Sequence, residues 1–505
     1  MNKAQSPTTL LELLNTAPDD KLAIVLPDSG LSVTYQALRL QVAAVADAFA
    51  GHGISRGERI ALALPNGLPA IVCFLAASSA GTAAPLNPAY QATEFRFYMD
   101  DIAARTLIIP RQGGEDARRA AAERIPILTA DMDAQGTVTI EPRSPGGAAG
   151  SPGAEDVALV LHTSGSTGRP KRVPLKHRHL VVSARNIVET YRLGPEDVTL
   201  CVMPLFHVHG LVASVLATLL SGGTVVVPSR FNPRSFRRLV QDHRVTWYSA
   251  VPTIHQILLA RAVNVSQRPY GAETLRFIRS CSAPFSPETM RQMEDRFGVP
   301  VLEAYGMTEA AHQMASNPLP PGARKPGSVG PGTGLHISIM DDEGQPCPTG
   351  QIGEVVIRGP SVIESYENNP EADAGAFVQG WFRTGDQGLL DSDGYLWLTG
   401  RLKELINRGG EKISPHEIDN VLQTHPAVAE AVCFGVPHPT WGEAVAAAVV
   451  LRAPAHEADL LSFCRARLAE FKRPTKIYIV DTIPRTVTGK LQRRAMADAC
   501  TKGAI

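Results

Sequence analysis

The chain has 505 residues, of which 44% are hydrophobic and 19% are charged, a composition typical of a globular protein with a buried core. This length exceeds what one hydrophobic core supports, so roughly two to four domains or subdomains are expected. Lys plus Arg and Asp plus Glu number 49 each, and this balance argues against a general nucleic-acid or anionic-membrane surface and favours small-molecule partners.

The first part of the chain alternates short extended and helical patterns. Residues 32–38 predict a strand end followed by a helix that Thr34 caps. Residues 60–64 predict a buried strand, and the following Pro-Asn-Gly predicts a turn into a helix that begins near Leu68. This alternation is typical of α/β architecture.

After a Pro/Gly/Ser linker at residues 141–155, strands and helices continue to alternate. Helices are predicted at 175–191 and 211–220, and strands at 157–161, 198–203, 224–227, 247–250, 277–280 and 301–303. Such regular alternation predicts a largely parallel sheet, and ligands bind such sheets at the carboxyl ends of the strands.

From residue 336 the pattern changes to strand, turn, strand, which predicts an antiparallel β subdomain. After Arg401, about a hundred residues with their own helix–strand alternation predict a separate small domain. We therefore predict an α/β protein with two domains, 1–400 and 401–505. The first has mixed, mostly parallel sheets flanked by helices plus a β subdomain, and the second is a small α+β unit.

The cysteines and the termini favour a cytoplasmic protein. Seven cysteines are scattered along the chain without a C-x-x-C pair or a Cys/His cluster of zinc spacing, which predicts reduced thiols. The N-terminal residues lack the apolar core of a signal peptide, and no segment approaches the length of a membrane span. The last residues, TKGAI, are not a peroxisomal address.

Residues 161–171, LHTSGSTGRPK, follow a predicted strand and form a loop of small and polar residues that closes on a lysine. Small residues let successive backbone N–H groups point at an anion, hydroxyl groups add donors, and Lys171 adds a positive charge. Such a nest suits a triphosphate, although the residues alone leave a solvated Gly/Ser loop open. The G-x-x-x-x-G-K-[ST] loop is absent, and so is a G-x-G-x-x-G turn that would favour a nicotinamide or flavin enzyme.

Two further segments place carboxylates where a nucleotide could bind. In YGMTE, residues 305–309, Glu309 follows the predicted strand 301–303 and could hold Mg²⁺, while Tyr305 could stack on a base. In WFRTGD and GRLK, Asp386 could accept hydrogen bonds from both ribose hydroxyls and Arg401 offers several donors. Taken singly, these residues are also consistent with a solvated turn and a surface ion pair.

The segment 484–494, PRTVTGKLQRR, is basic and lies near the end of the chain. From its residues alone the segment predicts a solvated cationic tail, and contact with nucleic acid stays open. Upstream, the adjacent Gly409 and Gly410 permit close backbone approach and unusual φ/ψ values.

These motifs, in this order, resemble those of the adenylate-forming superfamily, which contains acyl-CoA synthetases, firefly luciferase and the adenylation domains of peptide synthetases. The resemblance extends from SVTYQAL to GKLQRR. It implies a ligase that uses ATP, Mg²⁺ and coenzyme A: an acid and ATP give an acyl-adenylate and pyrophosphate, and the adenylate and a thiol then give a thioester and AMP.

The resemblance also implies a set of site residues. It assigns catalytic roles to Lys490, His207 and Glu309, with Glu309 also the Mg²⁺ ligand, and it makes Lys403 the hinge of a mobile C-terminal domain. The residues implied to bind ATP or CoA are Thr163, Ser164, Gly165, Ser166, Thr167, Gly168, Lys171, Ser282, Ala283, Pro284, Glu303, Ala304, Tyr305, Gly306, Thr308, Asp386, Arg401, Gly409 and Gly410.

The acid is expected to be small and polar. FHVHG at 206–210 resembles the motif that closes the acid pocket of acyl-CoA synthetases, with His207 at the gate. Ser282 and His312 add polar groups where enzymes for fatty and aromatic acids carry apolar ones. The segments AVPTIHQI, RFIRSCSA, LEAYGMTEAAHQMASNPLP and KELINRGGEKISP together look most like the oxalate–CoA ligase branch of the superfamily.

Three alternatives stay open at this point. The acid could be malonate, an aromatic acid or a short fatty acid. The chain could instead be an amino-acid adenylation module, although no carrier domain follows Lys490. It could also be a non-catalytic nucleotide- or RNA-binding protein, which the zero net charge and the presence of Lys490 disfavour.

Overall fold

A computed structural model describes residues 6–143, 146–163, 170–262, 274–486 and 491–501 of the chain. The strands are β1 (Leu22–Leu26), β2 (Leu31–Thr34), β3 (Arg59–Leu62), β4 (Thr82–Pro85), β5 (Ala104–Pro110), β6 (Ile127–Met132), β7 (Val138–Glu141), β8 (Val157–Thr163), β9 (Lys171–Lys176), β10 (Val198–Leu200), β11 (Thr224–Val226), β12 (Trp247–Ala250), β13 (Phe277–Ser280), β14 (Val301–Met307), β15 (His312–Ser316), β16 (His336–Met340), β17 (Gly353–Arg358), β18 (Phe377–Val378), β19 (Trp381–Leu390), β20 (Leu396–Arg401), β21 (Ile406–Arg408), β22 (Glu411–Ile413), β23 (Val428–His438), β24 (Gly442–Leu451) and β25 (Lys476–Ile479).

The α-helices are α1 (Leu10–Leu13), α2 (Tyr35–Gly51), α3 (Leu68–Ala80), α4 (Ala92–Asp101), α5 (Glu115–Ala121), α6 (His177–Tyr191), α7 (Ala217–Leu220), α8 (Phe236–Asp242), α9 (Pro252–Ala262), α10 (Pro287–Phe297), α11 (Pro370–Ala376), α12 (Pro415–Gln423), α13 (Glu457–Arg465) and α14 (Arg493–Thr501). A π-helix, His209–Leu216, runs directly into α7, and short 3₁₀ turns include Thr308–Ala310 and Leu402–Glu404. Among the described residues, no helix is both long enough and apolar enough to cross a bilayer.

Two large sheets carry the first part of the chain. An eight-stranded sheet has the order β15-β14-β13-β12-β10-β11-β1-β2, and a seven-stranded sheet has the order β7-β6-β5-β3-β4-β8-β9. The inner pairings are parallel, and the antiparallel pairs lie at the edges. Parallel strands bury both faces, which explains the continuous apolar runs that predicted them.

Helix α3 packs into the centre of the first part of the chain. Almost every one of its side chains is buried, as expected for a helix that is apolar on all sides. One hydrophobic cluster joins α2 and α3 to residues of both large sheets, for example Ile24, Ile60 and Val225. The two sheets therefore share a core, and their carboxyl ends can contribute to one site.

Two smaller sheets complete the fold. The antiparallel β subdomain predicted after residue 336 is a five-stranded sheet of β16, β17, β19, β18 and β20. The strands after Arg401 form a separate five-stranded sheet of β21 to β25 with its own hydrophobic clusters. The predicted fold class, mixed α/β with a smaller C-terminal α+β unit, is confirmed.

Several element boundaries differ from the prediction for local reasons. The predicted helix 175–191 begins only at His177, because residues 171–176 pair with β8 as strand β9. The predicted helix 211–220 is a π-helix followed by α7. By contrast, Thr34 caps α2 as predicted, since its side chain accepts a hydrogen bond from the backbone N–H of Ala37 at 3.2 Å.

The YGMTE motif begins inside a strand that is longer than the sequence predicted. The sequence predicted that the strand ends at Glu303 and that Tyr305 follows it, but β14 continues to Met307. The parallel pairing with β13 does stop at Glu303, and the residues beyond it pair antiparallel with β15 instead. Tyr305 is therefore held in a strand, while Glu309 lies in the 3₁₀ turn that follows.

Candidate active site

The end of β8 and the turn after β14 bring two predicted phosphate-site residues together. The Thr163 hydroxyl donates a hydrogen bond to a carboxylate oxygen of Glu309 at 3.3 Å, and the Tyr366 hydroxyl donates to the same oxygen at 3.0 Å. Lys171 starts β9 opposite Thr163, and its ammonium lies 4.4 Å from the centre of the Tyr366 ring. A cation, a carboxylate and two hydroxyls thus meet at one edge of the seven-stranded sheet.

The Lys171 ammonium is partly withdrawn from water. Burial lowers the pKa of Lys171, the negative charge of Glu309 opposes this effect, and the positive charge of Lys403 adds to it. Lys403, the predicted hinge residue, therefore lies close enough to Lys171 for its charge to affect the pKa of Lys171.

Glu309 suits a magnesium ion that also binds phosphate. Its side chain is only 6% exposed and presents hard oxygen ligands. Among the described residues, no group of three or more His, Cys, Asp or Glu side chains forms a metal cage. Mg²⁺ fits such a site, because it usually takes one or two carboxylates and completes its shell with substrate phosphates and water. Thr308, buried beside Glu309, begins the same turn.

Tyr305, Asp386 and Arg401 form a second cluster. The Tyr305 hydroxyl donates to one carboxylate oxygen of Asp386, and the Nε of Arg401 lies 3.0 Å from the other. Asp386 and Arg401 are direct cross-strand partners on β19 and β20. Burial and the Asp386 charge raise the pKa of Tyr305 well above its usual value, so the phenol keeps its proton. The sequence prediction placed these three residues in the nucleotide site, and the structure brings them into direct contact.

The predicted adenine segment, Ser282, Ala283 and Pro284, follows β13 and is anchored to β14. A carboxylate oxygen of Glu303 accepts a hydrogen bond from the backbone N–H of Phe285 at 3.1 Å. The other Glu303 oxygen has no hydrogen-bond partner among the described residues, and burial raises the pKa of Glu303 to about 8. A buried polar atom without a partner is costly, so this oxygen marks a place where a hydrogen-bonding group of a ligand would be accommodated.

The predicted acid-pocket residues meet around His209, which the sequence analysis did not select. The Nδ1 of His209 lies 3.0 Å from the Ser282 hydroxyl, and the His209 backbone N–H donates to Nδ1 of His207 at 3.2 Å. The His312 ring centre lies 5.1 Å from that of His209. His209 is the second histidine of FHVHG, so a signal for it was present in a motif already quoted.

Gly306 makes room for His312. A Cβ added at Gly306 would lie 2.0 Å from the carbonyl oxygen of His312 and 2.8 Å from its Nδ1, distances that real Cβ atoms do not show. Ala304 and Gly306 contribute backbone to β14, which pairs with β15, the strand that begins at His312. A side chain at Gly306 would therefore displace His312.

Other predicted residues lie elsewhere or outside the described part of the chain. Gly409 and Gly410 form the turn between β21 and β22, with φ values of +61° and +96°, and the Gly409 backbone N–H donates to the carbonyl of Trp441, in the turn before β24, at 2.8 Å. They do not join the clusters above in this conformation. The residues Ser164, Gly165, Ser166, Thr167, Gly168 and Lys490 lie outside the described residues. Of the residues predicted to form the phosphate loop and bind ATP, Thr163 and Lys171 lie within the described part of the chain.

Sequence reasoning missed three contributors besides His209. Tyr366 reaches Glu309 from the segment after β17, and no local motif marked it. Ser249 on β12 and Arg279 on β13 lie behind His209 and contact it through a hydrogen-bonded chain. Both belong to short apolar strands, so their polar side chains could only be recognised once neighbouring strands were in register.

Comparison with known proteins places the chain in a family. Residues 12–367 match the AMP-binding enzyme family, and residues 417–490 match the AMP-binding enzyme C-terminal domain. The chain belongs to the AMP-binding enzyme family. The resemblance to the adenylate-forming superfamily is thereby confirmed.

Individual relatives cover nearly the whole chain. An oxalate–CoA ligase of Arabidopsis thaliana is 46% identical over 88% of this chain and 89% of its own length. An oxalate–CoA ligase of Saccharomyces cerevisiae is 42% identical over 96% of this chain and 95% of its own. Among solved structures, ATP-bound MatB from Rhodopseudomonas palustris is 32% identical, with a TM-score of 0.89 over 97% of this chain and 98% of that one.

Proposed function

We propose that the protein is an ATP-dependent acid–CoA ligase whose preferred acid is oxalate. It forms an acyl-adenylate with release of pyrophosphate, then an acyl-CoA thioester with release of AMP. The observation that carries the acid assignment is the convergence of Ser282, His207 and His312 on His209, which brings polar groups together where we place the acid. The relatives that are oxalate–CoA ligases support the same assignment.

In the first half-reaction, an acid carboxylate oxygen attacks the α-phosphorus of ATP, and the bond from that phosphorus to the bridging oxygen of pyrophosphate breaks. The carboxylate is already ionised at neutral pH, so no general base is required. The barrier comes from bringing anions together, and cations placed at the phosphates lower it. Lys171 lies at the end of the phosphate loop, and we assign Lys490 to the same region in this step.

Glu309 would hold Mg²⁺, which supplies positive charge to the phosphate oxygens when bound. Asp386 would accept hydrogen bonds from the ribose hydroxyls, with Tyr305 and Arg401 fixing its carboxylate. The segment from Ser282 to Pro284 would run along the adenine. These roles place the α-phosphate between Glu309 and the polar acid pocket.

In the second half-reaction, the thiol of CoA attacks the acyl carbon, the bond to the AMP oxygen breaks, and the thioester forms. We propose that residues 401–505 rotate about Lys403 for this step, so that the turn at Gly409 and Gly410 lines the channel for the CoA arm. Support comes from the separate sheet and hydrophobic clusters of this part of the chain. One active site then serves both half-reactions.

Oxalate fits a short polar pocket because it carries two charges at neutral pH. One carboxylate faces the α-phosphate and the other, one bond away, needs donors such as a hydroxyl or imidazole. A long methylene chain would bury these polar groups without satisfying them, at a cost of roughly 1–3 kcal/mol for each group. Malonate, one methylene longer, is the second candidate because the same donors suit its second carboxylate.

We also infer a cytoplasmic location. All seven cysteines are free thiols in the structure, and six of them are buried, which supports a reducing compartment.

The reaction class is tested by incubating the purified protein with ATP, Mg²⁺ and a panel of acids that includes amino acids, with and without CoA. The expected products with oxalate and CoA are AMP, pyrophosphate and oxalyl-CoA, identified by mass spectrometry. Formation of an aminoacyl-adenylate with no CoA thioester from any acid would contradict the ligase assignment.

A further inference from the structure

A fully buried cation lies behind the acid pocket. Arg279 on β13 has no exposed surface, and within the described residues its side-chain hydrogen bonds go to neutral groups and not to carboxylates. Its guanidinium donates instead to three neutral oxygens: the Tyr191 hydroxyl at 2.8 Å, the Ser249 hydroxyl at 2.8 Å and the Gln313 amide oxygen at 3.0 Å. A buried charge is costly unless its donors are satisfied, so these acceptors are held in place by it.

The charge on Arg279 determines the direction of the hydrogen bond between Ser249 and His209. A guanidinium has only donors, so the Ser249 oxygen must accept from it. The only other hydrogen-bond partner of Ser249 among the described residues is Nε2 of His209, at 2.7 Å. If Ser249 instead accepted from Nε2, its own buried proton would have no acceptor among the described residues, which is costly, so the Ser249 hydroxyl donates to Nε2.

The tautomer of His209 follows from the direction of the hydrogen bond with Ser249. If Nε2 accepts from Ser249, the neutral ring carries its proton on Nδ1. That N–H then donates to the Ser282 hydroxyl oxygen 3.0 Å away. Burial, with the nearby positive or ionisable groups of His312, Arg279, His207 and His255, lowers the pKa of His209 well below its usual value, which keeps the ring in this neutral form.

The hydrogen-bonded series that runs from Arg279 through Ser249 and His209 ends at Ser282, where we place the acid. Because its oxygen accepts from His209, its own proton is not used by that histidine and is available to a ligand. Ser282 has a φ of +73°, a left-handed conformation that is unfavourable for serine, so its side chain is placed by the surrounding structure. A hydroxyl with its proton turned towards the pocket is suited to an anionic oxygen.

We propose that Arg279, Ser249 and His209 are positioning residues that orient the Ser282 hydroxyl as a hydrogen-bond donor to the second carboxylate of the acid. The nature of that anion rests on the proposed function. The direction of these hydrogen bonds does not rest on the proposed function, because it follows from contacts that are present without any substrate. Arg279 thus acts on acid selection without touching the acid.

The tautomer is measured directly by NMR on the wild-type protein with ¹⁵N-labelled histidine, with the His209 signals assigned by their loss in His209→Asn. We expect a neutral ring protonated at Nδ1. A ring protonated at Nε2 would overturn the proposal, whatever the substrate proves to be.

The functional consequence is measured with Ser249→Ala. Without the Ser249 proton, Nδ1 of His209 is free to accept, and Ser282 turns its proton towards the ring and away from the acid. The KM for oxalate should rise about tenfold to a hundredfold, the loss of one hydrogen bond to a charged group, while the KM for ATP stays within about twofold. The tautomer signal should change in the same variant.

Ser183→Ala is the matched control. Ser183 on α6 is also fully buried, and its hydroxyl has no hydrogen-bond partner among the described residues. It should leave both KM values unchanged. If Ser249→Ala affects oxalate no more than this control, or raises both KM values equally, the orienting role is wrong. If the wild-type protein activates no small acid at all, the proposed function fails. The NMR result still decides whether the hydrogen bonds from Arg279 to Ser282 run in the direction described.

Discussion

The Tyr305 hydroxyl on β14 donates a hydrogen bond to the Asp386 carboxylate on β19, although 81 residues separate the two in the sequence. The other carboxylate oxygen of Asp386 is paired with Arg401, so both oxygens are fixed before any ligand binds. This contact joins the eight-stranded sheet to the β subdomain at the proposed ribose site. A carboxylate held in this way binds without first losing side-chain freedom.

Asp386→Ala should therefore weaken ATP binding selectively. A hydrogen bond to a charged group contributes roughly 1.5–3 kcal/mol, which corresponds to about a tenfold to 150-fold rise in the KM for ATP. The KM for the acid should change little. Glu343→Ala, which removes an exposed carboxylate from the turn after β16 in the same subdomain, is the control and should leave both values unchanged. A larger effect on the acid than on ATP would argue against the ribose role.

Glu303 makes stability depend on pH. Burial raises its pKa from 4.5 to about 8, so the folded protein holds a proton there that the unfolded chain has lost. Between these two values the folded state binds more protons than the unfolded state, and stability falls as the pH rises. The difference amounts to at most on the order of 5 kcal/mol.

Glu303→Gln should remove this dependence. The thermal midpoint of the wild type minus that of the variant should become more negative from pH 5 to pH 8. The subtraction cancels other buried groups whose pKa values are shifted, such as His177 and His255. A difference that stays constant with pH would show that Glu303 is not held protonated by the fold.

Lys490→Ala should separate the two half-reactions. The proposed role of this lysine is to offset charge while the carboxylate attacks ATP, so ATP-dependent adenylate formation should be lost. Conversion of supplied acyl-adenylate to thioester should remain largely intact. Arg494→Ala, which removes an exposed cation four residues further along, should affect neither step. Equal loss of both steps in Lys490→Ala would contradict the assignment.

Lys403→Pro should have the opposite effect. Lys403 lies in the 3₁₀ turn Leu402–Glu404, and Glu404 is tied to the C-terminal unit by an ion pair with Arg493 at 3.1 Å. Proline fixes φ and removes an N–H donor, which should prevent the rotation. Adenylation should survive and thioester formation should collapse, while Lys403→Ala serves as the control for loss of the charge alone. Normal overall turnover in Lys403→Pro would exclude this residue as the hinge.

Local sequence patterns were enough to predict much of the fold. The strands Trp247–Ala250 and Phe277–Ser280 have the bounds that their apolar runs predicted. The π-helix at His209 could not be foreseen, because an apolar run has no periodicity that separates it from an α-helix. It matters for the site, since His209 occupies its first position.

Contacts between distant segments explain the remaining differences. Tyr305 was predicted to follow a strand, yet β14 continues because β15 returns alongside it, which local propensity does not encode. The chain from Arg279 through Ser249 to His209 depends on the register of β12 and β13 and on the π-helix packed against them. Taken alone, each of these residues is an ordinary polar residue in an apolar run, so the sequence did not mark it as part of the site.

The choice of acid is tested by measuring kcat/KM for oxalate, malonate, acetate, octanoate and 4-coumarate under one set of conditions. We expect oxalate to rank first, and His312→Ala to lower kcat/KM for oxalate by about tenfold or more without a comparable change in the KM for ATP. A ranking led by octanoate or 4-coumarate, or an unchanged oxalate rate and ranking in His312→Ala, would contradict the assignment of oxalate.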